Sequence, residues 1–293
     1  ATGRFVWHDE PIDATLSLTD FVAALDGDRS GLKLRLTGAP LKFAFDGNIS
    51  HRPSLKVEGT LAADTASLRD TLRWAAHWTS PGGGFGPFTL KAQTSIVGGH
   101  ISLSGVNVEL DGNVGEGVMT FTSNGRRTLQ GTLATGTLDL TRYVSTIRLL
   151  NGSDWNRQPI TLSDLTGIDV DLRLSAASVT LADAKLGRTA IAANLRGGDL
   201  TVAVGESQAF GGVASGSFSL ARSNAGTALK TQMQFADIDL NQGLARLIGI
   251  RRVEGKGTLV LNLDSTGGSI HEIAQRLNGT ANLTSRKGAI TGI

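Results

Sequence analysis

The chain has no cysteine, which removes disulfides, thiolate metal sites and cysteine nucleophiles while leaving its compartment open. Large side chains are scarce: 10 Phe, 4 Trp, 1 Tyr and 2 Met are spread over 293 residues. That is little material for the interior of a closed sandwich or small barrel. No run of apolar residues approaches the ~18 that a membrane-crossing helix needs, and no signal segment opens the chain. The 28 basic and 26 acidic residues are dispersed and leave a net charge of +2. With no basic stripe to neutralise phosphates, nucleic acid is not an expected partner.

What the chain does have is glycine, 38 residues of it, well above the usual ~7%, together with abundant Thr, Ser, Ala and Leu. This mixture describes many short strands and turns. Length alone allows one large β domain or two ordinary ones. The chain opens on Ala1-Thr2-Gly3 and stops at Ile293 within a strand-like pattern, so it reads as an excised fragment whose anchor or targeting segment would lie outside it.

Alternation of apolar and polar residues predicts strand after strand. In the first half they are Phe5–Trp7, Ala14–Leu18, Leu32–Leu36, Leu41–Phe45, Leu55–Leu61, Phe88–Ala92, Ile101–Leu110, Val118–Thr122 and Leu129–Leu140. In the second half they are Val170–Leu174, Val179–Leu181, Ile191–Leu195, Leu200–Val204, Val213–Leu220, Leu229–Phe235, Leu259–Leu263, Ala281–Thr284 and Ala289–Ile293. Helices are expected over Ser67–Trp78, Thr141–Leu149, Asn241–Ile248 and Ser269–Leu277, the last with Ser269 and Glu272 spaced as a capping box. Leu129–Tyr143 sets the pattern: a strand closes on Leu138-Asp139-Leu140 and a short helix follows. Ala236–Leu240 repeats it and Asp64–Leu68 does so more loosely. The expected organisation is a first segment over 1–150 with its helix near 67–78, and a second over 151–293 after a linker at Asn151–Pro159. A few short helices cannot cover so many strands, and the large side chains are too few to fill a closed interior. The expected fold class is therefore mainly β: repeated antiparallel strands in an elongated curled sheet, a β groove with an apolar trough.

No catalytic constellation emerges, and the chain is not expected to be an enzyme. His8, His51, His77, His100 and His271 are scattered, with no pair at ligand spacing, so no metal or cofactor is expected. Asp169 with Asp171, and Asp237 with Asp239, alternate with apolar residues and read as a solvated outer face more readily than as acid/base pairs or calcium ligands. Gly82–Gly86 lacks the Gly-Lys-Ser/Thr of a phosphate-binding loop. Trp74 and Trp78, near Phe85 and Phe88, read as helix-to-sheet packing, with contact to lipid headgroups or a cap on the groove as the alternatives.

A resemblance runs through the second half. Gln158-Pro159-Ile160, LTGIDVDLRL over Leu165–Leu174, Phe210-Gly211-Gly212 with Gly216, ADIDL over Ala236–Leu240, GKGTL over Gly255–Leu259, Leu277-Asn278-Gly279-Thr280 and Gly288–Ile293 resemble, in that order, the C-terminal region of AsmA-like proteins. Ile101–Phe121 followed by Leu129–Leu140 is similar to the middle region of the same family. The resemblance implies a periplasmic protein of the Gram-negative envelope, held in the inner membrane by an anchor outside this fragment. It also implies kinship with bridge-like lipid transfer proteins that move phospholipid between the inner and outer membranes.

The implied partner is phospholipid or another envelope lipid, with an envelope protein as a further possible partner. The implied lipid-lining residues are Val170, Leu172, Leu174, Val179, Leu181, Ile191, Leu195, Leu200, Val202, Val204, Phe218, Leu220, Met233, Phe235, Leu259 and Leu261. From the alternation alone a plain sandwich core would serve equally well. Two other classes stay open: an interaction module that assists outer-membrane assembly through exposed sheet edges, and a β-rich enzyme acting on envelope glycans with paired carboxylates.

Overall fold

The computed structural model describes residues 1–76, 83–144, 155, 157–160, 162, 166–182, 184–248 and 250–290. Its described strands hydrogen-bond into one mainly β sheet that is not closed, punctuated by a few short helices, as the alternation predicts. The chain divides into two compact units, Ala1–Ser80 with Gly84–Ala134 and Pro81–Gly83 with Thr135–Ile293. The division falls inside a strand, before the linker expected at Asn151–Pro159, most of which lies outside the described residues.

The first unit runs β1 (Thr2–Trp7), β2 (Glu10–Leu18), α1 (Phe21–Asp26), β3 (Ser30–Thr37), β4 (Lys42–Ser50), β5 (Lys56–Thr65), α2 (Leu68–Ala76), β6 (Phe88–Val97), β7 (His100–Leu110), β8 (Asn113–Thr122) and the start of β9 (Thr128–Asp139). Each strand pairs antiparallel with the next. Because facing residues of an antiparallel pair share a side of the sheet, the registers can be followed strand to strand. Leu16, Leu34, Phe45, Leu61 and Ala92 fall in one row, and Ala14, Leu36, Phe43, Ala63, Leu90 and Val108 in the next. The opposite side carries charge, with Lys33 facing Asp46 at 2.9 Å and Arg4 facing Asp13 at 2.7 Å. Hydrogen bonding from Arg4 holds the Asp13 carboxyl below the usual carboxylate range.

The helix expected over Ser67–Trp78 is α2, described as far as Ala76; Trp78 and His77 lie outside the described residues. Buried Thr71 fixes α2, its hydroxyl donating to Pro40 O at 2.5 Å. Trp74 sits edge-on to Trp7 with ring centroids 4.6 Å apart, and its indole N–H donates to Trp7 O at 2.9 Å. Trp74 thus packs the helix onto the β1–β2 hairpin. The glycine-rich turn holds an anion of the chain's own: the N–H groups of Phe85 and Gly86 donate to the Asp111 carboxylate at 2.8 and 2.9 Å.

The second unit holds the end of β9, then α3 (Thr141–Val144), β10 (Asp169–Leu181), β11 (Ala184–Leu186), β12 (Thr189–Arg196), β13 (Asp199–Ala209), β14 (Gly212–Ser223), β15 (Gly226–Asp239), α4 (Leu240–Ile248), β16 (Val253–Gly267), α5 (Ile270–Gln275) and β17 (Asn278–Ile290). Two pairs of expected strands each merge into one, β10 and β17. The small residues Ser175–Ser178 continue the first, and Ser285-Arg286-Lys287-Gly288 the second. Beyond Val144 and Ile290, the expected helix to Leu149 and strand to Ile293 lie outside the described residues.

The recurring strand-to-helix phrase has a shared physical basis. Asp139 accepts from the Thr141 N–H at 2.9 Å, and Asp239 accepts from the Gln242 N–H at 2.9 Å, so each carboxylate caps the helix that follows its strand. The Thr141 hydroxyl and N–H hold the Asp139 carboxyl below its ordinary range. At the looser copy the cap changes hands, with Thr65 Oγ1 accepting from Ser67 N–H and Ser67 Oγ from Asp70 N–H.

Candidate functional site

The sixteen residues singled out as lining can be placed by register and packing. Val170 pairs with Leu195, Leu195 with Leu200, Leu200 with Leu220 and Leu220 with Leu229. The adjacent row is Leu172, Ala193, Val202, Phe218, Thr231 and Leu263. Next come Leu174, Ile191, Val204, Gly216, Met233 and Leu261, and then Ala176, Thr189, Ser207, Ala214, Phe235 and Leu259. Every member of these rows shares one side of the sheet. Val179 and Leu181 gather beside them in a cluster with Leu138, Ala176, Leu174, Leu186 and Ile191.

The side these strands turn the other way is polar and small: Asp171, Arg173 and Ser175 on β10, Ser215, Ser217 and Ser219 on β14, and Lys230, Gln232 and Gln234 on β15. Leu229 and Leu263 belong to the apolar side and were not among the lining residues read from the sequence. The same alternation marks them, since each lies two residues from a lining position or continues its run.

The apolar side is not uniform. At one end it is filled: α4 lays Leu240 and Leu244 onto Phe235, Ile238, Leu259, Ala209 and Ala214, and Ile238 and Leu240 are 0% exposed. Phe210 adds a ring 6.4 Å from that of Phe235. Phe235 and Leu259, like Val179 and Leu195, are therefore core residues here. Away from both clusters, the side chains of Val170, Leu172, Leu200, Val202, Val204, Phe218 and Leu220 are only half-buried, while half-buried Met233 and Leu261 pack against the α4 cluster and Leu174 against the cluster around Val179. Neighbouring strands flank them, and all described strands belong to the same open sheet. The buried polar atoms on this side are satisfied internally, Thr189 and Ser207 sharing a 2.8 Å hydroxyl pair. A surface so built offers dispersion and hydrophobic contact along several strands.

Residues 148–293, which contain all of these rows, match the sequence pattern of the AsmA family. The chain is an AsmA-like family member. No curated protein and no solved structure matches it.

The matched AsmA region starts ahead of β10 and includes the strand-to-helix phrase at Ile238-Asp239-Leu240 and both helices α4 and α5. The expected capping box of α5 forms with a shift: Ser269 Oγ accepts the Glu272 N–H at 3.2 Å, and Glu272 reaches back to the Gly268 N–H at 3.1 Å. The paired aspartates divide among structural tasks. Asp169 accepts from Gly197 N–H at 3.0 Å, and Asp239 caps α4. Asp237 does not alternate with Asp239 along a regular strand as expected, because it sits on a bulge with φ 52° and pairs with Lys256 at 3.5 Å. Among the described residues, no three His, Asp or Glu side chains cluster in a way that could hold a metal ion, and no helix is long and apolar enough to cross a membrane.

Proposed function

We propose that the apolar side of β10–β16 shields the acyl chains of phospholipid, or of another envelope lipid with similar chains, in a periplasmic protein that carries lipid between the inner and outer membranes. A segment outside residues 1–293 would hold it at the inner membrane. The reading rests on AsmA family membership and on one observation above all: rows of registered aliphatic side chains that stay half-exposed on one side of an open sheet. Burying a methylene there contributes ~0.8 kcal/mol, so a long acyl chain would be held without any directional contact or covalent chemistry. Headgroups would remain in water.

Organic extraction of the purified chain followed by mass spectrometry, with uptake of a fluorescent phospholipid, tests this. Leu172→Asp and Val202→Asp place a carboxylate in the middle of the half-exposed rows, on either side of Ala193. Each should lower uptake at least ~10-fold, because desolvating the charge costs several kcal/mol, while strand content by circular dichroism is unchanged. Absence of extracted lipid and of uptake in the unaltered chain, or uptake by both variants at the original level, would overturn the reading.

A second reading is favoured by β17, which pairs only with β16 among the described strands and is exposed from Asn278 to Ala289. Such an edge suits addition of a strand from an envelope protein. Cross-linking at β17 to a protein partner that persists in Val202→Asp would support that module over lipid carriage.

A further inference from the structure

The six-residue helix α1 is capped at both ends and carries its apolar residues outward. Phe21, Val22 and Leu25 are 64%, 67% and 71% exposed, while Ala23 and Ala24 take the half-buried positions. At 100° per residue the three large side chains fall within about a third of the helix circumference. This reverses the arrangement that stabilises a helix on a protein surface, where the large apolar residues point to the core.

The helix is firmly built. Asp20 caps its start, accepting the Ala23 N–H at 2.9 Å, and Gly27 ends it in the left-handed region at φ 81°. Buried Ser30 donates to Asp20 O at 2.7 Å and accepts from Asp20 N–H at 3.1 Å, closing the base of the loop. The His51 and Arg52 N–H groups both donate to Gly27 O, at 2.9 and 3.1 Å, tying the β4–β5 turn to the helix end. A rigid mount for three exposed apolar side chains calls for an occupant.

Size and charge indicate which. Three side chains on one and a half turns cannot supply the ~800 Å² per partner that a standard protein interface buries. Charge around the helix is mixed, Asp26 and Asp28 standing beside Arg29 and Arg52, so no single-sign field selects an anionic or cationic ligand. An apolar tip with charged residues of both signs at its base matches the interfacial layer of a bilayer, where the side chains enter the acyl boundary and the charges stay among the headgroups. We propose that α1 is a membrane-insertion tip, with Phe21, Val22 and Leu25 entering the surface of a phospholipid bilayer. This contact is independent of whether the sheet of the second unit holds single lipids.

The absence of cysteine makes Val22→Cys a unique site for an environment-sensitive fluorophore, with Asn224→Cys in the β14–β15 turn as control. On addition of phosphatidylcholine vesicles, or vesicles containing phosphatidylglycerol, the label at position 22 should shift to the blue and brighten, and the label at 224 should not. The unlabelled chain should float with the vesicles. Combined substitution F21S/V22S/L25S should lower that partition at least ~10-fold, given the apolar area withdrawn, with circular dichroism unchanged. Raising salt to ~0.5 M, which shortens the Debye length to a few ångströms, should leave partition within about twofold.

Four results would overturn the proposal: no blue shift at position 22, flotation of the triple variant at the original level, loss of flotation in salt, or a dimer in vesicle-free solution that the triple variant converts to monomer. Val202→Asp should float like the unaltered chain, so failure of lipid uptake and failure of membrane contact are separately visible.

Discussion

Ile238 shows how much one position carries in a protein with so thin a core. It lies on β15 just past the bulge that turns Asp237 outward, is fully buried, and touches the cluster formed by Leu240, Leu244, Phe235 and Leu259. Gly243 on α4 approaches it so closely that a Cβ there would come within 2.6 Å of Ile238 Cδ1. Helix and strand are thus packed without slack, and truncation cannot be made good by a small shift. Ile238→Ala should destabilise the second unit by about 2–4 kcal/mol, the cost of a core truncation with its cavity, seen as a lower midpoint in urea. A loss below ~1 kcal/mol would mean that α4 is not seated on β15 as described. Part of this was legible: Ile238 and Leu240 stand two apart where the recurring phrase closes a strand ahead of a short helix. That α4 folds back to bury Phe235 and Leu259 was not, because alternation assigns a side chain to a side of a strand and says nothing of what lies above it.

At the scale of elements, strands were legible because their period of two survives in nearly every segment, and their lengths were underestimated because glycine and serine interrupt the apolar signal without interrupting the pairing. Gly47 and Gly59 are the sharpest case. They face each other across β4 and β5 in the row that also holds Leu18, Leu32, Thr94, Leu103 and Met119, and a Cβ on either would run into the backbone of the facing strand. Paired glycines permit that close approach, so Gly47→Ala should push the two strands apart and cost about 1–3 kcal/mol. The measurement is thermal unfolding, supported by faster amide exchange in β4 and β5; an unchanged melting temperature would show that the approach is dispensable. α1 escaped sequence reading for the opposite reason. Its apolar residues point outward, so no amphipathic pattern leads from β2 into β3, and only Asp20 and Gly27 mark its ends. β11, at three residues, is too short for periodicity to register.

For the whole molecule, the sheet grows by each strand pairing with its neighbours, and packing on top of it is concentrated in particular places. Burial is deepest where α4 covers β14, β15 and β16, and a smaller cluster forms where β10 meets the end of β9 around Leu138, Ala176 and Val179. β1 is exposed throughout, pairs only with β2 among the described strands, and is tied down by the Trp7 contact to α2. β17 lacks a described partner on its outer side. In an array held by nearest-neighbour contacts, opening is local and spreads from weakly covered strands. Amide hydrogen exchange followed by mass spectrometry should therefore be slowest in β15 and the middle of β16, and at least ~100-fold faster in β17, which corresponds to an opening free energy lower by about 2.7 kcal/mol. Ile238→Ala should speed exchange in β14–β16 and leave β2–β5 as they were, since those strands lie in the other compact unit. Uniform protection from β1 to β17, or a response of both units to that one substitution, would mean that the sheet opens as a single cooperative body.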